Sequence, residues 1–233
     1  MSAYGDIKRS KASASALASL WHTVWDLSAP SSYLCIHQLT QESARAHSDL
    51  LEYMAEIFAK EVETGTTYPQ EGEISLTDFI SYFFSADVFV GIIGLTAGSE
   101  KDGFPSNGTL EEHKGSRSWE QCIGGFYYIK PNYPGRSSHI CNAGFVVPPK
   151  LRGQGFGVAL AKSYLHYAPK LGYQSSIFNL VYANNTASIR LWEKLGFTKA
   201  GLIPRAGRLR TRDGTAEEYV DAWVVYKSFI GQE

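Results

Sequence analysis

The segment Cys141-Asn142-Ala143-Gly144-Phe145-Val146-Val147-Pro148-Pro149-Lys150-Leu151-Arg152-Gly153-Gln154-Gly155-Phe156-Gly157 predicts a strand, a turn and the start of a helix. The strand ends at Val147, two prolines form the turn, and an amphipathic helix runs from Phe156 to Ala168. The three glycines let backbone N–H groups converge at the positive end of the helix dipole. The loop is therefore suited to an anion, especially a pyrophosphate. Its Gly-x-Gly-x-Gly spacing differs from the dinucleotide-binding fingerprint and lacks the Gly-Lys-Ser/Thr end of a P-loop.

Strands alternate with helices on both sides of this segment. Helices precede the second strand early in the chain, and single helices separate later strands, so the sequence predicts one α/β domain with a mixed sheet. The predicted strands cover residues 33–39, 87–95, 122–130, 141–147, 175–182, 197–203 and 219–226, and the predicted helices cover residues 41–64, 76–84, 156–168 and 186–195.

The domain is predicted to span residues 31–230, behind an N-terminal arm of residues 1–30. Residues 1–20 are rich in Ser, Ala, Lys and Arg but lack the apolar core of a secretory signal. A flexible or helical arm on a cytoplasmic protein is the preferred interpretation, and a mitochondrial presequence stays open. Residues 97–118 are polar throughout and predict a surface loop whose length is typical of disorder or of function.

The composition excludes several classes of protein. The 233 residues include 22 Lys plus Arg and 23 Asp plus Glu, so the net charge is −1 and no basic field favours nucleic acid or an anionic membrane. The longest apolar run, residues 88–95, is much shorter than the ~20 residues that span a bilayer. Cys35, Cys122 and Cys141 lack the paired spacing of a disulfide framework or a zinc knuckle, so we expect reduced thiols and no metal.

Two motifs resemble the signatures of the GCN5-related N-acetyltransferase (GNAT) family. They are Val147-x-Pro149-x-x-Arg152-Gly153-x-Gly155-x-Gly157 and Asn185-x-x-Ser188-Ile189-x-Leu191-Trp192-x-Lys194-x-Gly196-Phe197. The resemblance implies a mixed, mostly antiparallel sheet with flanking helices, in which the two central parallel strands, residues 141–147 and 175–182, are splayed. It also implies acetyl-CoA as cosubstrate, with its pyrophosphate on the glycine loop and its pantetheine arm between the splayed strands. The cofactor-binding residues that it implies are Phe145, Val147, Arg152, Gly153, Gln154, Gly155, Phe156, Gly157 and Asn185.

A wider stretch resembles the fungal L-azetidine-2-carboxylate N-acetyltransferases, which act on proline analogues. The similarity is dense from about residue 125 to 204, whereas the N-terminal arm and the loop before Trp119 show no clear match. It implies acetylation of the secondary amine of a small cyclic amino acid, such as L-azetidine-2-carboxylate or a proline-related metabolite, as a detoxification, and it implies a homodimer. The matching segments are Phe126-Tyr127-Tyr128-Ile129-Lys130-Pro131-Asn132-Tyr133, Cys141-Asn142-Ala143-Gly144-Phe145, Ala168-Pro169-x-Leu171-Gly172-Tyr173 and Ser176-Ile177-Phe178-Asn179-Leu180-Val181.

Acyl transfer from a thioester requires a donor to the carbonyl oxygen and a hydrogen bond to the departing thiolate. In the family, a backbone N–H on the strand before the glycine loop donates to the carbonyl oxygen. The corresponding group here is the backbone N–H of Phe145. Asn185 corresponds to the residue beside the sulfur, and a plain helix N-cap is its alternative role. Trp192 stands where many members carry a Tyr near the sulfur, and its weak indole donor favours a packing role.

Asn142 and Asn179 are candidates for substrate recognition, because Asn is unusual in strands and the two would face one crevice. By resemblance, Asn142 recognises the substrate, while Asn179 and Leu180 offer backbone N–H groups to its carboxylate. The alternative is that each Asn bonds to its own backbone. No general base is evident, since His139 precedes the strand, and proton transfer through water or a distant group stays open. Further candidates for the wall of an acceptor pocket are Tyr68, Phe84 and Tyr128.

Two other functions stay open. The same acetyl-CoA site would serve a peptide, a lysine or a polyamine if acidic side chains form a groove for a cationic acceptor. A CoA-binding protein without catalysis is the third hypothesis, because the sequence shows neither the tyrosine near the sulfur nor a base. The acidic residues that favour the cationic acceptor are Glu52, Glu61, Glu63, Glu71 and Glu73.

Overall fold

The computed structural model describes residues 22–27, 32–94 and 102–231. The strands are β1 (Thr23–Asp26), β2 (Tyr33–Leu39), β3 (Asp87–Ile93), β4 (Phe104–Pro105), β5 (Ile123–Pro131), β6 (Ile140–Val146), β7 (Ser175–Tyr182), β8 (Thr198–Arg210) and β9 (Glu217–Ser228). The helices are α1 (Gln41–Arg45), α2 (Ser48–Thr64), α3 (Leu76–Phe83), α4 (Leu110–Lys114), α5 (Trp119–Cys122), α6 (Phe156–Lys170) and α7 (Thr186–Lys194). Short 3-10 turns occur at Gly135–Ser137 and Pro149–Leu151.

The strands of the described residues form one sheet in the order β4-β1-β2-β3-β5-β6-β7-β9-β8. β6 and β7 run parallel, whereas every other neighbouring pair is antiparallel. The predicted α/β fold with a mixed, mostly antiparallel sheet is therefore confirmed.

The parallel pair parts soon after it begins. β6 and β7 pair at two positions, Ile140 with Ser175 and Cys141 with Ser176, and then separate. β7 also leaves the regular ladder with β9 after Phe178, where the register shifts. The backbone groups of β6 that face β7 are consequently left in an open wedge.

Helices cover both faces of the sheet. α6 packs on one face, in a core that includes Leu34, Ile36 and Phe89. α2 and α3 cover the other face, in a core that includes Val88 and Val90. Successive residues of β3 thus enter different cores, which explains why residues 88–93 of this strand include no polar side chain. No helix among the described residues has both the length and the apolar character that crossing a membrane requires.

An aromatic stack crosses the core beneath α6 and ends at β6. The ring centroids lie 4.5 Å apart for Tyr167 and Phe89, and 5.1 Å apart for Phe89 and Tyr127. A third step of 5.1 Å joins Tyr127 to Phe145. Offset stacking of this kind adds about 0.5–1.5 kcal/mol per pair to the burial of the rings. The stack therefore ties the strand beside the wedge to the middle of the core.

Near the N-terminus the structure differs from the prediction in one strand and one helix. Residues 23–26 lie within the predicted arm of residues 1–30, yet they form β1. This strand pairs with β2, and its residues Val24 and Trp25 are buried. Four residues carry too little pattern to reveal such a strand. The rest of the arm, residues 1–21 and 28–30, lies outside the described residues. The single helix predicted over 41–64 is two helices, since His47 has the non-helical angles φ −125° and ψ 71°.

The predicted start of the first helix is confirmed. The Thr40 hydroxyl accepts from the backbone N–H of Ser43, and the Ser43 hydroxyl accepts from the backbone N–H of Thr40, both at 3.0 Å. This reciprocal capping box satisfies two backbone donors at the start of α1.

The polar loop predicted at 97–118 contains structure in its described part. Residues 102–118 include β4 and α4, and α4 is capped by Thr109, whose hydroxyl accepts from the backbone N–H of Glu112 at 3.2 Å. Residues 97–101 lie outside the described residues. The last two strands are longer than predicted, because residues 204–210 of β8 contain one large apolar residue, the buried Leu209, and therefore show no apolar alternation in the sequence.

We expect Phe89→Ala to lower the free energy of unfolding by about 3–5 kcal/mol, because the ring is fully buried between Tyr127 and Tyr167. Denaturant titration followed by circular dichroism and by fluorescence measures the loss. Phe104→Ala is the matched control, since that ring is 54% exposed on β4 and its removal should change stability by less than about 0.5 kcal/mol. Equal losses in the two variants would contradict the role given to the stack.

Candidate active site

A cavity of about 1300 Å³ lies where β6 and β7 part. Its wall includes the separated strands, the glycine loop before α6, the start of α7 and residues around Tyr68 and Tyr82. The structure thus brings together residues that are far apart in the chain. The predicted site residues that line the cavity are Asn142, Phe145, Val147, Arg152, Gly153, Gln154, Gly155, Gly157, Asn179, Leu180 and Asn185.

Several residues named from the sequence do not line this cavity, among them Glu52, Glu63, Glu71 and Glu73. The Phe156 side chain is buried in the core under α6, so only its backbone can contribute to a cofactor site. The ring of Phe84 packs against Phe79 beside α3. His139 lies at the surface, where its Nδ1 is 3.2 Å from the carbonyl oxygen of Arg136.

The glycine loop has the backbone that an anion site requires. Gly153 has a φ of +76° and Gly155 has a φ of +93°, both in the left-handed region that favours glycine. Gly155 is the N-cap of α6, so the first amides of this helix are not bonded within it. A Cβ atom on Gly153 would meet no described atom within 4 Å, which shows that the space over the loop is open. The loop therefore fits a pyrophosphate, with its charge at the positive end of the helix.

Arg152 braces this loop against α2. Its guanidinium pairs with the buried carboxylate of Glu61, and its Nε donates to the carbonyl oxygen of Val147 at 3.2 Å. The Thr67 hydroxyl donates to the other carboxylate oxygen of Glu61. Glu61 thus serves the structure of the loop, and Arg152 reaches the cavity with its charge already balanced.

The backbone of Phe145 faces the wedge. The carbonyl of Ile140 accepts from the N–H of Asn132 on the β5 side, and the backbone groups of successive strand residues alternate in direction. Phe145 follows Ile140 by an odd number of residues. Its N–H and C=O therefore point away from β5 and towards β7. The Tyr68 hydroxyl donates to this carbonyl at 3.1 Å. Burial raises the pKa of Tyr68 well above 10, which keeps its hydroxyl protonated as a donor.

Asn185 begins α7 and lines the cavity. Its Oδ1 accepts from the backbone N–H of Ser188 at 3.1 Å, so Asn185 is the N-cap of α7. This is the alternative role predicted for it from the sequence. The cap uses the acceptor half of the amide, and the Nδ2 group is the half that can donate to a ligand. Trp192 is buried, its ring centroid lies 4.4 Å from that of Phe178, and its Nε1 donates to the Ser188 hydroxyl. These contacts agree with a packing role for Trp192.

Three asparagines form a hydrogen-bonded cluster across the wedge. Asn132 follows β5, is 2% exposed, and stands between Asn142 on β6 and Asn179 on β7. Its Oδ1 accepts from Asn142 Nδ2 at 2.6 Å and from Asn179 Nδ2 at 2.8 Å. The side chains of the two predicted asparagines therefore bond to a third one and not to their own backbones. Asn142 Oδ1 is buried and has no donor among the described residues, so it is an acceptor that a ligand could use.

A buried lysine stands beside this cluster. Lys130 on β5 is 7% exposed and is the register partner of Asn142 on β6. Its Nζ lies 4.1 Å from the ring centroid of Tyr82 and 4.3 Å from that of Tyr128, and the hydroxyls of these tyrosines are 2.9 Å apart. Burial lowers the pKa of Lys130 to about 8. At pH 7 the ammonium group therefore places a positive charge in the cavity wall.

Sequence reasoning missed Asn132, Lys130 and Tyr82. Asn132 reads as part of a turn, because it lies between two prolines. Lys130 lies within an aromatic strand that also includes Tyr128. A lysine in such a strand is a signal of function, since lysines are almost never fully buried. Nothing in the local pattern of α3 distinguishes Tyr82 from a core aromatic.

The fold and the site together define a class of protein. It is an α/β protein that has an anion-binding loop at the open end of a splayed parallel strand pair. The model of the acetyltransferase (GNAT) family matches residues 79–197, which is half of the chain. The chain belongs to the GNAT family, and it is an acetyl-CoA-dependent N-acetyltransferase.

Similar proteins agree with this assignment. N-acetyltransferase aca1 of Schizosaccharomyces pombe is 40% identical over 199 residues, which cover 85% of this chain and 90% of that protein. A GCN5-related N-acetyltransferase from Kribbella flavida has a TM-score of 0.62 at 23% identity, over 83% of this chain and 97% of its own. The yncA protein of Salmonella typhimurium, solved with its cofactor acetyl-CoA, has a TM-score of 0.57 at 16% identity, over 84% and 93%. The two structures support the fold alone.

We expect the Lys130 ammonium to titrate near pH 8, because burial removes water from the charged form and so lowers its pKa. Reductive methylation with a ¹³C label, followed by NMR over pH 6–12, measures every lysine in one sample. One resonance should move at a pH about two units below the rest, and Lys130→Arg should remove it. A set of lysines that all titrate near the ordinary ~10.4 would contradict the buried environment described for Nζ.

Proposed function

We propose that this enzyme transfers an acetyl group to the secondary amine of a small cyclic amino acid, such as L-azetidine-2-carboxylate or a proline-related metabolite. The observation that carries the proposal is a positive charge, Lys130, beside a neutral asparagine cluster in the wall of the cavity. Such an arrangement suits an acceptor that has a carboxylate near a small amine. A homodimer and a cytoplasmic location stay predictions.

The charge of Lys130 selects against the other acceptors. A carboxylate that approaches a desolvated ammonium gains a charge-assisted hydrogen bond, which is stronger than a bond between neutral groups. A polyamine or a lysine side chain carries positive charge and would be repelled in the same place. The carboxyl end of an amino acid is therefore the better match. The backbone N–H groups of the exposed pair Asn179 and Leu180, where β7 leaves its ladder, are suited to hold the same carboxylate.

The amine end of the acceptor matches the asparagine cluster. Asn142 Oδ1 needs a donor, and the N–H of a neutral secondary amine is one. The bond from Asn142 Nδ2 to Asn132 keeps the carbonyl end of the side chain in a single orientation. A fixed acceptor of this kind orients the nitrogen lone pair without taking its proton.

Acetyl-CoA, when bound, supplies an activated thioester. The glycine loop, with Gly153 and Gly155, would hold its pyrophosphate. The backbone N–H of Phe145 would then donate to the oxygen of the acetyl carbonyl and stabilise the charge that develops there. Asn185 Nδ2 would donate to the sulfur as the thiolate leaves, and its role as N-cap holds it in place. A coenzyme A thiol has an acidity similar to that of Cys, so a hydrogen bond is sufficient help for its departure.

Water is the best candidate to take the amine proton. Among the described residues of the cavity wall, Glu61 is the one carboxylate, and Arg152 and Thr67 already engage both of its oxygens. No histidine of the described residues lines the wall. The proposal therefore places orientation and electrostatics in the protein and leaves the proton to solvent.

The proposal is tested by acetyl-CoA-dependent thiol release with L-azetidine-2-carboxylate, L-proline, azetidine without a carboxylate, spermidine and a peptide as acceptors. We expect turnover with the cyclic amino acids. Lys130→Met should raise their KM by about 10- to 100-fold, because it removes a charge-assisted hydrogen bond worth about 1.5–3 kcal/mol. The same variant should leave the KM for azetidine without a carboxylate nearly unchanged.

Lys60→Met is the matched control, since Lys60 lies on the exposed side of α2 and pairs with Glu56. It should leave all kinetic constants at their original values. Acetylation of the peptide or of spermidine, but not of amino acids, would refute the proposed acceptor class. An equal rise of KM for azetidine and its carboxylate in Lys130→Met would refute the role of Lys130.

We expect Gly155→Ala to raise the KM for acetyl-CoA about tenfold or more, because a side chain at the N-cap of α6 strains the backbone and obstructs the approach of the pyrophosphate. Initial rates at saturating acceptor measure this change. Gly214→Ala is the control for backbone strain, since Gly214 also has a positive φ, of +71°, but lies in the exposed turn between β8 and β9. A rise of similar size in the control, or none in Gly155→Ala, would count against the loop as the pyrophosphate site.

A further inference from the structure

Three histidine rings meet at the edge of the sheet, away from the cavity. His22 precedes β1, His37 lies in β2 and His113 lies in α4. The ring centroid of His37 is 4.1 Å from that of His22 and 4.9 Å from that of His113. Cys35 completes the group: its Sγ and a ligand atom each from His37 and His113 all lie within 4.8 Å of one another.

Strand geometry assembles this group from distant parts of the chain. Cys35 and His37 are two residues apart in β2, so their side chains lie on the same face of the sheet. The pairing of Thr23 with Ile36 places His22 opposite His37 on that face. The helix α4, part of the polar segment that the proposed reaction does not use, brings His113 over the pair.

The buried nitrogen atoms of these rings lack partners. His37 is 1% exposed, and neither Nδ1 nor Nε2 has a hydrogen-bond partner among the described residues. The Nδ1 atoms of His22 and His113 lack partners as well, although His113 Nε2 lies 3.2 Å from the Ser106 hydroxyl. Each buried and unsatisfied polar group costs about 1–3 kcal/mol, so such a concentration calls for an explanation.

The burial of the three histidines disfavours their charged forms. Burial lowers the pKa of His22 and of His113, and it lowers the pKa of His37 to about 3. Mutual proximity of the rings adds to the effect, since a second positive charge would be repelled there.

We propose that Cys35, His37 and His113 bind a zinc ion, and that His22, whose ring lies next to that of His37, moves in to complete the tetrahedral set. Nitrogen and thiolate donors suit Zn²⁺ and exclude the hard cations Mg²⁺ and Ca²⁺, which take oxygen ligands. Tetrahedral zinc with Zn–S of about 2.3 Å and Zn–N of about 2.0–2.1 Å holds its ligand atoms about 3.4–3.6 Å apart. The observed separations of up to 4.8 Å therefore need a closure of about 1 Å. The thiol proton of Cys35 leaves to solvent when the thiolate binds.

The site is structural. In the sheet order, β3 and β5 lie between β2 and β6, so the ion would not contact the reacting groups. A zinc ion bound there would join β1, β2 and α4, and it would fix the described part of the polar segment to the sheet.

The test starts with the full chain, which is stripped of metal by a chelator and dialysed. Zn²⁺ is then titrated calorimetrically, and Co²⁺ serves as a spectroscopic probe of the ligands. We expect one zinc ion per chain, a rise in Tm on zinc addition, the intense d–d bands of tetrahedral cobalt, and a thiolate-to-cobalt charge-transfer band that Cys35→Ser abolishes. His113→Ala should weaken zinc binding at least about 100-fold, since loss of a ligand costs more than loss of a supporting bond to one.

The control is His139→Ala, because His139 is partly exposed, as His113 is, and lies outside the group. It should keep the affinity, the stoichiometry and the rise in Tm. If Cys35→Ser fails to fold because Cys35 is buried, His113→Ala decides the question, because His113 is partly exposed on a short surface helix. Binding below one ion per chain, or zinc affinity unchanged in both His113→Ala and Cys35→Ser, would overturn the proposal.

Discussion

The separation of β6 from β7 after two paired residues is the constraint on which the rest of the structure depends. Parallel strands normally satisfy each other's backbone groups along their full length, and unpaired groups in an interior are costly. Here the N–H and C=O of Phe145 turn towards a strand that has moved away. The Tyr68 hydroxyl donates to the carbonyl, and the N–H points into the wedge. The sheet thus contains a place where a substrate can complete the hydrogen bonding that a strand would otherwise supply.

Keeping two strands apart requires material between and beneath them. The aromatic stack that ends at Phe145 holds β6 to the core, and Trp192 packs between Phe145 and Phe178 on the other strand. These rings lie beyond the two paired positions, on one face of the strands, while Asn132 and its two partners bridge the strands on the other face. Rigid packing on one side and a hydrogen-bonded bridge on the other define a fixed opening. A fixed opening is what acyl transfer by orientation requires, since small displacements of reacting groups are costly.

Local patterns predicted much of the fold, and distance along the chain explains what they did not predict. The glycine loop and the helix that follows it are encoded within one segment, so the strand, the turn and the helix start could be inferred together. The bridging role of Asn132 depends on β5, β6 and β7 meeting, which no local pattern reports. Lys130 lies in an apolar strand, but its burial becomes evident only when Tyr82 and Tyr128 enclose it. The expectation of no metal rested on cysteine spacing, and this spacing carries no information about the group of Cys35, His37 and His113, which strand register and a surface helix bring together.

The same sheet contains two groups of buried polar side chains, and these groups differ in how many of their hydrogen bonds are satisfied within the protein. Asn132 accepts from Asn142 and Asn179, so most hydrogen-bonding groups of this cluster are satisfied within it. Neutral imidazoles have one donor and one acceptor each, and the two rings around His37 leave both of its nitrogens without partners. A substrate site must release its ligand and therefore gains from being stable when empty. A structural metal site has no such requirement, and its free energy of binding is also free energy of folding.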